Sequence, residues 1–378
     1  MKDEFQQPFR IHQYHYSVSS SDGISYQMFF IQSALAHAGI SGSVFATRLN
    51  DISSPKAFKL DFEKMWDCDL LLIHHSLGNP SLKQLNHLEI PKALIYHNIT
   101  PAQFFPHDPT LSALSELGRK QLQILKKDTI AAFTGSKFNF EELKKHLFHQ
   151  PQLLPLLDIP EDLKEVKKKK QNSKKGAPKN LLFVGCLTPH KNQNQLIKTF
   201  YYLKKLLPKH SKLYLVGSQD PVFLSYLNLL IKQLNLNLEI KLTGRVTRKI
   251  LEQHYEMADA FVCLSKHEGF CIPLVEAMSR QVPVFYLTTP GVKETMGNSG
   301  VALHTEDPFE VAQIIYTVLE NPKALSAILR SQHRRLIELG REHNVDRVQK
   351  VLLKLVKQVR STPYFQINRR ESEQFITA

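Results

Sequence analysis

The feature that most constrains the fold is an alternation. In the second half, NLLFVGC, KLYLVGS, EIKLTG, DAFVCLS, VPVFYL and GVALH are short and nearly continuously apolar. They alternate with helical text such as NQNQLIKTFYYLKKLL and VFLSYLNLLIKQLN. Strands that are apolar on both faces and separated by helices predict a parallel sheet covered by helices on both sides. The first half repeats the pattern: FRIHQYHY, GSVFATR, DLLLIHHS, KALIYHN and IAAFTG read as strands, with helical text such as ISYQMFFIQSALAHAG between them. The chain of 378 residues is long enough for two such domains.

A lysine-rich stretch separates the halves. Residues 164–179 hold eight lysines and one glutamate, so they supply half of the net charge of +14. The expected boundaries are a first domain over 1–163, a linker over 164–179, a second domain over 180–340, and a C-terminal helix and tail over 341–378 packing back on the first domain. The charge run reads as a solvated linker, or as a patch attracted to an anionic membrane surface. No nucleic-acid-reading motif accompanies it, so no nucleic acid is expected as partner. No run of about 18 apolar residues occurs, and the opening MKDEFQQPFRIHQYH has no apolar stretch of the kind a secretion signal needs. The four cysteines show no zinc-type spacing. A cytoplasmic location, peripheral at the inner membrane face, is therefore expected. Oligomeric state is not legible.

Ligands of doubly wound sheets bind outside the carboxyl ends of the strands, so informative residues should follow each strand. After DAFVCLS comes HEGFCIPLVEAM, with Glu268 in a loop and Glu276 one turn into a helix that Pro273 helps to start. The amides of Gly269, Phe270, Cys271 and Ile272 stand at that helix's positive end, a ready anion site. A lone glutamate in apolar helical text needs a partner, and sugar or ribose hydroxyls would serve. After NLLFVGC, Gly185 ends a strand and Lys191 precedes a helix, where a lysine reaches a phosphate or simply faces water. After the first strand, SVSSSDGISYQ places Gly23 either as a close approach to phosphate or beside a plain helix cap at Ser21 or Asp22. LLIHHSLG and LIYHNITPAQFF end strands with His74, His75 and Ser76, and with His97, Asn98 and Thr100.

These stretches resemble the retaining glycosyltransferases of family 4, in a bacterial mannosyltransferase-like subgroup. The "EGF-x-x-P-x-x-EAM" wording is similar to that family's Glu-x7-Glu segment. FVGCLTPHKN is similar to its "FVGR-x-x-x-x-KN", YLTTPGVKETMG to its "G-x-x-E" at Gly291 and Glu294, and LIYHNITP to the subgroup's "YHNITP". The resemblance runs from about residue 10 to about residue 339. It implies a GT-B fold: two Rossmann-like, doubly wound α/β domains facing across a cleft. It implies transfer of a sugar, with mannose the natural guess, from a GDP- or UDP-sugar donor to a glycan or lipid-linked acceptor in polysaccharide biosynthesis. Configuration would be retained, and no cofactor or metal would be bound permanently. Glu268 would contact the donor sugar, Glu276 the ribose, the amides of Gly269 through Ile272 and Lys191 the diphosphate, and His97 the sugar. Cys186 stands where the family usually has arginine, and Arg245 is the candidate stand-in. That departure keeps open a non-catalytic nucleotide-sugar or anionic-surface binding protein. A nucleotide-sugar 2-epimerase is a further alternative.

Overall fold

The structure is a computed structural model that describes residues 9–19, 22–50, 57–146, 148, 150–159, 176–362 and 365. Residues 164–175 of the lysine-rich stretch, and Ser21, lie outside them. The chain divides into two compact units, Met1–Ile159 with Glu342–Ala378, and Pro160–Arg341.

The first unit is built on a seven-stranded sheet: β1 (Ile11–Ser19), β2 (Val44–Asn50), β3 (Ala57–Lys59), β4 (Leu70–His75), β5 (Lys92–Tyr96), β6 (Ala131–Thr134) and β7 (Gln152–Leu153). The strand order is β3-β2-β1-β4-β5-β6-β7, with every pair parallel. The second unit holds β8 (Asn180–Val184), β9 (Lys212–Val216), β10 (Ile240–Gly244), β11 (Ala260–Cys263), β12 (Val284–Leu287) and β13 (Val301–Leu303). Their order is β10-β9-β8-β11-β12-β13, again all parallel. Both sheets are therefore doubly wound, as the apolar strand text predicts.

In each sheet the strand order reverses once, between β1 and β4 and between β8 and β11. At such a switch point the following loops turn to opposite faces and leave a crevice at the carboxyl ends. Helix starts are set locally. Asp108-Pro109, Asp220-Pro221 and Asp307-Pro308 each place a carboxylate that accepts from a first-turn amide, followed by a proline that has no amide to satisfy.

The helix Val345–Arg360 reads as amphipathic in sequence, and its partner is its own chain. Val348, Leu352, Leu355, Val356 and Val359 are buried in one core with Ile31 and Leu35 of the helix Gly23–His37 and with Ile11, Leu70 and Leu72 of the first sheet. Among the described residues no helix is long and apolar enough to cross a membrane. Leu352 is fully buried, so Leu352→Ala is expected to destabilise the first unit by roughly 2–5 kcal/mol. Urea unfolding followed by a probe in that unit checks it.

Candidate active site

In the second unit, the loops after β8 and β11 meet at the switch point. The β8 loop turns at Gly185 (φ 153°) and passes through a single 3-10 turn, Pro189–Lys191. The β11 loop runs from Ser265 to the helix Ile272–Ser279. The amide of Lys266 donates to the His190 carbonyl at 2.8 Å and ties the loops together. Lys191 Nζ then lies 2.6 Å from Glu268 Oε2, with the side chains only 18% and 10% exposed. Burial opposes the lysine's charge, but Glu268 beside it outweighs that and raises its pKa. Lys191 therefore stays protonated at neutral pH.

The Glu268 loop is held from several sides. Thr295 Oγ1 donates to the Phe270 carbonyl, and Thr289 Oγ1 donates to that of Ser265 at 3.2 Å. Gly291 closes the packing, since a Cβ there would collide with the Glu268 carbonyl. Cys271 adopts the left-handed region (φ 69°) immediately ahead of the helix.

Glu276 is not the unpartnered acid that the apolar text suggests. Its Oε1 accepts from Arg248 Nη1 at 2.6 Å, and its Oε2 accepts from the Tyr255 hydroxyl at 2.9 Å. Burial, reinforced by Glu276, pushes the Tyr255 phenol well up and keeps it a donor. Arg248 was not singled out in the sequence. Arg245, the expected stand-in for the missing arginine, lies exposed after β10. Cys186 is exposed too, and its carbonyl accepts from Gln193 Nε2 at 2.9 Å.

Among the described residues, the grouping of ligand atoms close enough for a metal ion is Cys263, Glu268 and Cys271, within 4.8 Å of one another. The Lys191 ammonium already occupies Glu268, so an added cation there would meet like charge. The chain also carries an Asp-x-Asp triplet, Asp67-Cys68-Asp69, a pattern able to hold a divalent ion. It precedes β4, at the end of the strand opposite the crevice. Asp67 pairs with Arg10, and Asp69 accepts from the Arg10 amide at 2.7 Å.

In the first unit, His74 and His75 end β4, and His97 follows β5. His97 Nε2 lies 2.8 Å from His74 Nδ1. His75 Nε2 donates to the Gly118 carbonyl at 2.9 Å, and His15 Nε2 lies 3.1 Å from Ser76 Oγ. Asn98 (φ 74°) is buried and donates to Asn139 and Glu142, which makes it part of the frame. Asp22 caps the helix that begins at Gly23, accepting from the Ser25 amide at 2.8 Å. Burial, with neighbouring histidines adding to it, pushes His74 and His97 well below the ordinary histidine range.

Residues 164–343 match the family model "Glycosyl transferases group 1". This part of the chain is a group 1 glycosyl transferase domain. That match speaks against the epimerase alternative. The O-antigen chain mannosyltransferase RfbU of Salmonella typhimurium is 29% identical over 153 residues, which cover 40% of this chain and 42% of that protein. The match thus spans less than half of that relative's length. Two solved structures share the fold. Anabaena Alr3699/HepE, in complex with UDP and glucose, has a TM-score of 0.69 at 14% identity, covering 93% of this chain and 100% of that one. Sucrose-phosphate synthase (tll1590) of Thermosynechococcus elongatus has a TM-score of 0.68 at 15% identity, covering 93% and 99%. These neighbours establish a GT-B fold.

Two outcomes follow from the geometry. Gly291→Val should displace the Glu268 loop and lower the melting temperature of the group 1 domain, measured by calorimetry. Burial holds His12 and His75 neutral, each pushed down to about 4 from 6.5. An unfolded chain protonates them first, so their contribution is complete above about pH 6.5 and is lost as pH falls towards 4. The loss is roughly 3 kcal/mol for each histidine at pH 4. His75→Gln, which keeps a donor for the Gly118 carbonyl, should make the acid fall in the urea midpoint shallower.

Proposed function

We propose that this protein is a retaining glycosyltransferase, moving a hexosyl group from a nucleotide diphosphate sugar to a glycan or lipid-linked acceptor. The observation that carries this is the Lys191–Glu268 pair at the β8–β11 switch point, one loop ahead of the helix that holds Glu276. The costly event in such a transfer is charge growing on the departing diphosphate, which needs positive partners placed in advance. Lys191 supplies a cation that remains charged, and the amides of Gly269 through Ile272 supply the positive helix end. Glu268 orients the donor sugar and holds the lysine until phosphate arrives. Glu276 receives the ribose hydroxyls while it stays anchored by Tyr255. Arg248, more than half exposed, would reach the nucleotide by exchanging its ion pairs with Glu276 and Glu252 for phosphate, a role better suited to its position than to that of Arg245.

Glycosyl transfer then proceeds on the face of the departing phosphate, which takes the acceptor's proton. These protein charges do the work a metal ion does elsewhere, and the transfer is metal-independent. The first unit binds the acceptor, and its His97 serves as a sugar contact. The mannosyltransferase relative supports mannose as the sugar, and both GDP- and UDP-sugars stay in the test set, the latter in line with the UDP-bound neighbour. The lysines of residues 164–179 suit an anionic membrane surface near a lipid-linked acceptor.

Calorimetric titration with GDP, UDP and ADP should show one preferred nucleotide. Glu276→Ala should weaken it roughly 10- to 100-fold, as the loss of charged hydrogen bonds implies. With the matching sugar donor, Lys191→Ala should lower the transfer rate roughly 100- to 1000-fold. Binding of no nucleotide would point instead to a donor site lost with the arginine that Cys186 replaces. Vesicles containing phosphatidylserine should retain the protein at low salt and release a variant lacking residues 167–175.

A further inference from the structure

His97 is one end of a hydrogen-bonded chain. Its ring meets that of His74 edge to edge, with centroids 5.0 Å apart and planes 17° from parallel. His97 Nε2 lies 2.8 Å from His74 Nδ1, and His74 Nε2 lies 3.0 Å from Gln13 Oε1. Gln13 sits in β1 and His74 in β4, the two strands that flank the switch point of the first sheet.

The other end of the chain decides every proton in it. Gln13 Nε2 donates to the Met28 carbonyl at 2.8 Å. A carbonyl has no proton to give, so the amide NH2 must face Met28 and the amide oxygen must face His74. That oxygen can only accept, so His74 carries its proton on Nε2. His74 is 2% exposed, and burial keeps it neutral, so its Nδ1 is an acceptor. His97 must therefore donate from Nε2. Burial keeps His97 neutral as well, which leaves its Nδ1 with a lone pair. That atom is not sealed in the interior, and no hydrogen bond to it occurs among the described residues. His15 and His75, the other histidines nearby, are committed to the Ser17 and Gly118 carbonyls and Ser76.

We propose that Gln13 and His74 are positioning residues that lock His97 in its Nε2–H tautomer, so that the first unit offers the substrate a hydrogen-bond acceptor, His97 Nδ1, for a sugar hydroxyl. The proposal rests on the reading of His97 as a sugar contact. It adds the polarity of that contact: the recognised group is an O–H that donates, and a deoxy sugar loses it. Two buried side chains that never touch substrate set this polarity, as partners of a catalytic or metal-bound imidazole do elsewhere.

Long-range proton–nitrogen correlation spectra of the full chain, labelled with 15N-histidine, test the lock without any assay. His97, assigned by its absence in His97→Ala, should show a protonated Nε2 and an unprotonated Nδ1. A protonated Nδ1 in the wild-type protein overturns the proposal. Gln13→Leu removes the fixed end, and the His97 signals should move towards a mixture of tautomers. Its transfer rate should fall about 10- to 100-fold with nucleotide affinity unchanged. The double variant Gln13→Leu/His97→Ala should be no slower than His97→Ala alone, because both changes act through one imidazole. Additive losses would mean that Gln13 acts elsewhere, against the proposal. If His97→Ala transfers at the wild-type rate, the sugar contact itself is refuted, while the spectra still decide the tautomer. Should Gln13→Leu fail to fold, the wild-type spectra and the His97→Ala rate decide both halves.

Discussion

A nearly buried ion pair governs the second unit. Lys191 and Glu268 are 77 positions apart in the chain and 2.6 Å apart in space. Either charge alone at this depth would be costly, so each residue makes the other's position tolerable. Their meeting depends on β8 and β11 being neighbours, which only a doubly wound order provides. It depends also on Gly291, which lets the next helix press against the Glu268 backbone. The pair is a reserve of positive charge held in place by an exchangeable partner. Under the proposed function, an incoming diphosphate would compete for an ammonium that is already in place.

The first unit uses the same sheet order to a different end. Its switch point gathers imidazoles held neutral by burial. Under the proposed function, the cation of the second unit would counter developing negative charge, and the neutral imidazoles of the first would read hydroxyl groups. This division suits glycosyl transfer, in which the diphosphate needs cations and the sugar needs neutral hydrogen-bond partners.

Much of this was legible in the sequence, and the failures have physical causes. NLLFVGC and DAFVCLS announced buried parallel strands because nothing but a doubly covered sheet hides such text. The edge strands Ala57–Lys59 and Gln152–Leu153 passed unnoticed because two or three mostly exposed residues carry no periodicity. Glu276 was marked by its apolar surroundings as an acid in need of a partner, but the partner came from another helix, 28 positions earlier. Arg245 and Arg248 are equivalent as text. Only the start of a helix at Arg248 aims one of them at Glu276. The Asp67-Cys68-Asp69 triplet has the spacing of a metal motif but sits at the amino end of its strand, engaged with Arg10.

The sequence by itself determined two parallel sheets, the loops at their carboxyl ends, and the residue types that those loops carry. These follow from local periodicity, helix caps and the cost of exposing apolar text. Tertiary structure alone decided which charges pair, which arginine reaches Glu276, and how Gln13, His74 and His97 are linked. The reason is range. Hydrogen bonds and ion pairs are settled within about 3 Å, between side chains drawn from strands and helices that are far apart in the chain. Their choice waits until the sheet order has brought those elements together.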